Sequence, residues 1–258
     1  MIIDTHIHLD DPRYKDDLVE VLQRAHQHQV DRFIIPGADS DTLERAVEIA
    51  QRYEDVYFAV GIHPYDMEKF DEALFHRYLN HPKCVAVGEC GLDYFRLEGD
   101  ETTKQQIKQR QKEVFIWQIE LAKEYNKPLI VHIRDASIDA KEILLQNGAC
   151  EVGGVLHCFN ANEQLLSLAE CGFYFGIGGV VTFKNGKKLQ GILPKIPLQK
   201  IVLETDGPYL TPEPHRGKRN EPAYTLYVAK KVSEILEIPV EEITKITTQN
   251  AQKLFNIS

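Results

Sequence analysis

Among the His and carboxylate side chains of this 258-residue chain, six of the types that bind divalent metal ions recur at the ends of apolar runs: His6, His8, Glu89, His132, His157 and Asp206. The first two stand in THIHLD, where strand alternation places Asp4, His6 and His8 on one face and Ile3, Thr5 and Ile7 on the other. Two imidazoles at i and i+2 can converge on one ion, although the pair alone would serve a packed core equally well. Repetition at other strand ends decides for the ion. CVAVGEC carries Glu89, PLIVHIR carries His132, GGVLHCF carries His157 and KIVLETD carries Asp206. Burying four imidazoles and two carboxylates together is costly unless cations compensate them. The set exceeds what one tetrahedral ion uses and suffices for two with a carboxylate shared. The sequence thus points to two divalent metal ions per chain, and mixed His and carboxylate donors suit Zn, Mg or Mn.

The elements that must position these groups are legible as alternating short and long segments. Eight β-branched runs, MIIDTHIH, VDRFIIP, VYFAVGIH, CVAVGEC, PLIVHIR, GGVLHCF, GFYFGIG and KIVLETD, are separated by stretches with helical apolar spacing such as Leu18, Val21, Leu22 and Ala25. This is the pattern of repeated βα units around a parallel sheet. Eight of them predict an α/β fold, a single (β/α)8 TIM barrel over residues 1–258. Two further helices, around Ala223 to Leu236 and Val240 to Leu254, close the chain, so the barrel carries an extra C-terminal helix. In such barrels reactive groups sit at the C-terminal ends of the strands, where all six side chains fall.

The motifs THIHLD, GIHP, GECGLDYF, HIR, HCF, ETDGPYL and HRGKRNEP follow one another in this order from Thr5 to Pro222. Taken together, the chain resembles the TatD family of metal-dependent deoxyribonucleases in the amidohydrolase superfamily. The resemblance implies that His6, His8 and Asp206 hold one metal, that His132 and His157 hold the second, and that Glu89 bridges them. It implies that His63 of GIHP contacts the scissile phosphate or the leaving oxygen. The implied reaction is phosphodiester hydrolysis of DNA, exonucleolytic on single strands or ends, with Asp206, Glu89 and His63 as the catalytic groups. Asp206 is expected to be both ligand and proton acceptor, because a ligand carboxylate lies within reach of the attacking water.

Around this centre Arg134 shares a strand face with His132, and Asp93 lies beyond Glu89; either binds substrate or orients a ligand. Arg216 and Arg219 follow Asp206 in the last βα loop, where barrels often build phosphate sites, and are expected to offer forked hydrogen bonds to phosphate. Lys184, Lys187 and Lys188 in TFKNGKKL are expected on a solvated face, Glu204 in a salt bridge across the barrel, and Cys90 and Cys158 in packing.

A net charge of −9 speaks against a surface gripping long duplex DNA and favours trimming of ends or short strands. The apolar runs are strand-sized, far short of the roughly 20 residues of a membrane helix. The N-terminus lacks a basic region, and the five cysteines form no CxxC pair, so reduced thiols, no disulfides and a cytoplasmic location are expected. Two alternatives stand beside the nuclease. An amidohydrolase-type ester or amide hydrolase, for instance one deacylating aminoacyl-tRNA, could use similar metals, though no strand end offers a lysine that could be carboxylated to bridge them. A non-catalytic metal-binding scaffold is the other.

Overall fold

Eight parallel strands, paired in sequence order, form one sheet in the computed structural model, which describes residues 1–257. They are β1 (Ile2–Asp4), β2 (Val30–Ile35), β3 (Val56–Val60), β4 (Cys84–Asp93), β5 (Leu129–Arg134), β6 (Gly154–Leu156), β7 (Phe173–Ile177) and β8 (Ile201–Leu203). The two ends of the sheet meet: the Thr5 amide donates to Leu203 O, and Ile7 bridges Gly207 in parallel. Helices α1 (Leu18–Gln27), α2 (Ser40–Arg52), α3 (Glu72–Leu79), α4 (Glu101–Glu124), α5 (Ser137–Gln146), α6 (Lys187–Ile192), α7 (Thr225–Leu236) and α8 (Val240–Phe255) complete the TIM barrel. After β6 a nine-residue 3₁₀ segment, Glu163–Cys171, stands where a helix would.

Sequence alternation sorts the apolar side chains into two cores. Phe33, Phe58, Val131, Leu156 and Phe175 pack outward under the helices. Ile3, Ile34, Ala59, Ala86, Ile130, Val155, Tyr174 and Val202, one from each strand, form a separate cluster that fills the barrel. That inner cluster ends on Ala251, Phe255 and Ile257, so the extra helix α8 stoppers the N-terminal mouth. Asn250 fastens it by donating to Leu198 O and Ile201 O. Phe255→Ala would open a cavity in that stopper, and we expect it to lower the unfolding free energy by about 3 to 5 kcal/mol, measured by denaturant titration.

Two expectations are corrected here. Strand β1 stops at Asp4 and the chain bends at Thr5, so the alternation is reset. Ile3 faces the barrel interior, whereas Asp4 accepts hydrogen bonds from the amide and hydroxyl of Thr205 and does not join His6 and His8. Cys150 and Cys171 form a disulfide across 21 residues. Spacing gave no hint of it, because the pair is created by the pairing of β6 with β7, which sets the turns before these two strands side by side.

Candidate metal centre

Apart from Glu89, the groups of the cluster emerge where a strand ends or just beyond. His132 and Arg134 continue the inward series of Ile130 along β5; His157 follows Val155, and Glu204 and Asp206 follow Val202. Glu89 comes from the middle of β4, whose register shifts between Val87 and Cys90. The residue before it must be glycine: Gly88 has φ +152°, and a Cβ there would stand 2.6 Å from Ile130 O. Asp206 itself has φ +56°, a left-handed conformation that only a firmly held surrounding maintains.

Glu89, 3% exposed, is the hub. Its Oε2 faces His6 Nε2 at 3.2 Å and His8 Nε2 at 3.9 Å, while its Oε1 faces His132 Nδ1 at 3.0 Å, His157 Nε2 at 3.2 Å and His63 Nε2 at 3.7 Å. Asp206 Oδ1 lies 3.6 Å from His8 Nε2 and 3.8 Å from His6 Nε2. The six expected ligands are thus gathered, with one carboxylate between two sets of imidazoles. His6, His8 and Asp206 present ligand atoms within 4.8 Å of one another, as do His6, Glu89 and His157. Burial works to raise the Glu89 carboxyl, but the charges of His157 and His6 and hydrogen bonds from His132 and His157 outweigh it and hold it well below the usual carboxylate range.

The rings are also oriented from behind. His132 Nε2 lies 2.9 Å from Asp93 Oδ2, a partner that would hold its proton there and leave Nδ1 free to ligate when an ion is bound. Asp93 is in turn held by the Tyr65 hydroxyl at 2.6 Å and the Phe95 amide. His157 Nδ1 faces Glu204 Oε1 at 3.5 Å, and that oxygen also accepts from the Cys158 amide. Glu204 fits only because residue 176 is glycine, since a Cβ there would run into its carboxylate. The Tyr65 amide donates to His63 Nδ1 at 3.1 Å, which puts the His63 proton on Nε2, toward the cluster. Burial pulls His63 down to about 4, so near neutral pH it is an uncharged donor.

The donor set fits divalent ions. His6 is fully buried, and neither of its ring nitrogens has a hydrogen-bond partner within the chain. A buried imidazole left unpaired on both sides is unfavourable, and a ligated ion on Nε2 would remove that cost on the side facing Glu89.

Other candidates land elsewhere. Arg219 gives its forked guanidinium to Asp17, at 2.8 and 2.6 Å, and lies over the Tyr14 ring. Arg216 donates to Thr211 O and stacks on Phe183. Neither lines the cavity beside the cluster, because the last loop is pinned against α1 and against the segment after β7. Cys90 is buried packing as expected, while Cys158 lines that cavity. Burial pushes the Cys158 thiol up to about 12, which leaves no thiolate near neutral pH. Arg134 does line it, and so do Arg96, Lys188 and Tyr209, which the sequence reading did not assign to the site.

A TIM barrel with buried imidazoles and carboxylates gathered at the C-terminal strand ends defines a metal-dependent hydrolase scaffold, and comparison with known proteins agrees. The sequence profile of TatD related DNase matches residues 3–256, and the chain belongs to this family. The metal-dependent hydrolase YabD of Bacillus subtilis is 45% identical, with 100% of both chains covered. YcfH of Escherichia coli, also named a metal-dependent hydrolase, is 35% identical over 99% of this chain and 96% of its own. Among solved structures, the TatD homologue YjjV of Escherichia coli superposes with a TM-score of 0.91 at 32% identity, covering 100% of this chain and 98% of that one. Among the described residues, no helix is long and apolar enough to cross a membrane.

Proposed function

We propose that this protein is a deoxyribonuclease that hydrolyses phosphodiester bonds at the ends of single DNA strands, using two divalent ions held by His6, His8 and Asp206 on one side of Glu89 and by His132 and His157 on the other. The observation that carries it is the division of labour at Glu89, whose two oxygens face two separate imidazole sets. When bound, such a pair brings the pKa of water toward neutrality and stabilises charge on the attacking and leaving oxygens. The chain does the rest. A water at the cluster attacks phosphorus while the Asp206 carboxylate accepts its proton, and the bond from phosphorus to the leaving oxygen breaks. His63 Nε2, with its proton fixed by the Tyr65 amide, donates a hydrogen bond to the phosphate or leaving oxygen. Asp93 keeps His132 in its ligating tautomer, so it is a positioning residue rather than a substrate contact.

Protein stripped of metal and reloaded separately with Mg, Mn and Zn should release nucleotides from end-labelled single-stranded DNA, with a His132→Ala control inactive. Failure with every metal, combined with release of an amino acid from aminoacyl-tRNA, would move the function to the amide and ester class. Asp93→Asn is expected to raise the metal concentration needed for half-maximal activity by about 10- to 100-fold with the fold intact. Unchanged metal dependence in that variant would remove Asp93 from this role.

A further inference from the structure

Beside the cluster lies a cavity of about 640 Å³, whose lining includes His132, His157 and Asp206. A second cavity of about 440 Å³ adjoins it, and the two share Arg134, Asn160 and Lys188 in their linings. In a chain of net charge −9, the first cavity is lined by Arg96, Arg134 and Lys188 against a single carboxylate, Asp206. Among the described residues none of these three cations has a carboxylate within ion-pair distance, so their charge is left uncompensated at the cavity. Two of the three are held in place without losing their charge. The Arg134 guanidinium lies 3.7 Å from the centre of the Phe95 ring, itself 51% exposed, and that of Arg96 lies 5.9 Å from the same ring. The second cavity does carry acids, but Asp139 is neutralised by Lys112 at 2.6 Å and the Tyr94 hydroxyl, which leaves only Asp135 against the shared cations.

Unpaired cations converging beside a hydrolytic centre are poised for an anion. We propose that Arg96, Arg134 and Lys188 form a subsite for a second phosphate, the one next along the strand from the scissile linkage. The inference rests on the phosphodiesterase function above and narrows it: the enzyme reads a strand carrying at least two phosphates, not an isolated diester. Lys188, expected on a solvated face from its place in TFKNGKKL, is brought to the site because Asn185, Gly186 and Lys188, at the start of α6, line the cavity.

Three substrates separate the possibilities: the thymidine dinucleotide TpT, with one phosphate, and its 5′- and 3′-phosphorylated forms pTpT and TpTp. In metal-loaded protein one phosphorylated form should exceed TpT in kcat/KM by about tenfold or more, since charge-assisted hydrogen bonds are the strong ones. In Lys188→Gln and in Arg134→Gln that ratio should fall toward unity, and Phe95→Leu should lower it partway by releasing the guanidinium groups. If wild-type protein cleaves all three equally, or if the variants keep the ratio, the subsite is wrong while the nuclease stands. If none of the three is cleaved although longer DNA is, the two-phosphate requirement is wrong. If no phosphodiester of any length is cleaved, the nuclease reading falls and takes the subsite with it.

Discussion

Glu89→Gln is expected to remove hydrolysis and metal binding together. Among the described residues the carboxylate is the only group facing both imidazole sets, and the amide that replaces it keeps the shape but loses the charge. Metal stabilisation of the transition state is worth several kcal/mol, and at about 1.4 kcal/mol per tenfold in rate the loss is about 10³-fold or more in kcat/KM. The measurement is twofold: rate on end-labelled DNA and metal content after dialysis, with the circular dichroism spectrum as a control for folding. A variant that keeps both ions would contradict the bridging role of Glu89.

Asp206→Asn should be as damaging to turnover but for a different reason. It removes the carboxylate proposed both as a ligand on the His6 and His8 side and as the base that accepts the proton from water, whereas His132, His157 and Glu89 remain. We expect kcat to fall by about 10³-fold, with the ion on the far side of Glu89 still retained. If the variant turns over at a comparable rate, the proton goes elsewhere. Comparing the metal content of the two variants separates a lost scaffold from a lost base.

The barrel could be read from the sequence because alternating βα periodicity survives in each unit and because lumen-facing positions repeat every second residue, as Ile130, His132 and Arg134 show. The six ligand candidates were legible for the same reason, each being a polar residue terminating an apolar run. What failed was set by contacts between units. Asp4 left the ligand face because a bend at Thr5 breaks the alternation. Arg219 looked like a phosphate fork, but its fork geometry fits a carboxylate equally well, and Asp17, about 200 positions earlier, is the one that meets it. The converse holds for Lys188 and Arg96, which nothing in their local sequence links and which come together only because the segments after β7 and β4 line one cavity. Asp93 stood between two roles in the sequence, and its 2.9 Å approach to His132 Nε2 is the contact on which the proposed orienting role rests.

The most direct test is a stoichiometric one. Metal-free protein is titrated with Mn while cleavage of end-labelled single-stranded DNA is followed, beside the His132→Ala variant. The rate should rise with bound metal and level off at two ions per chain, with the variant inactive throughout. Two ions bound per chain without any phosphodiester cleavage, or full activity at a single ion, would contradict it.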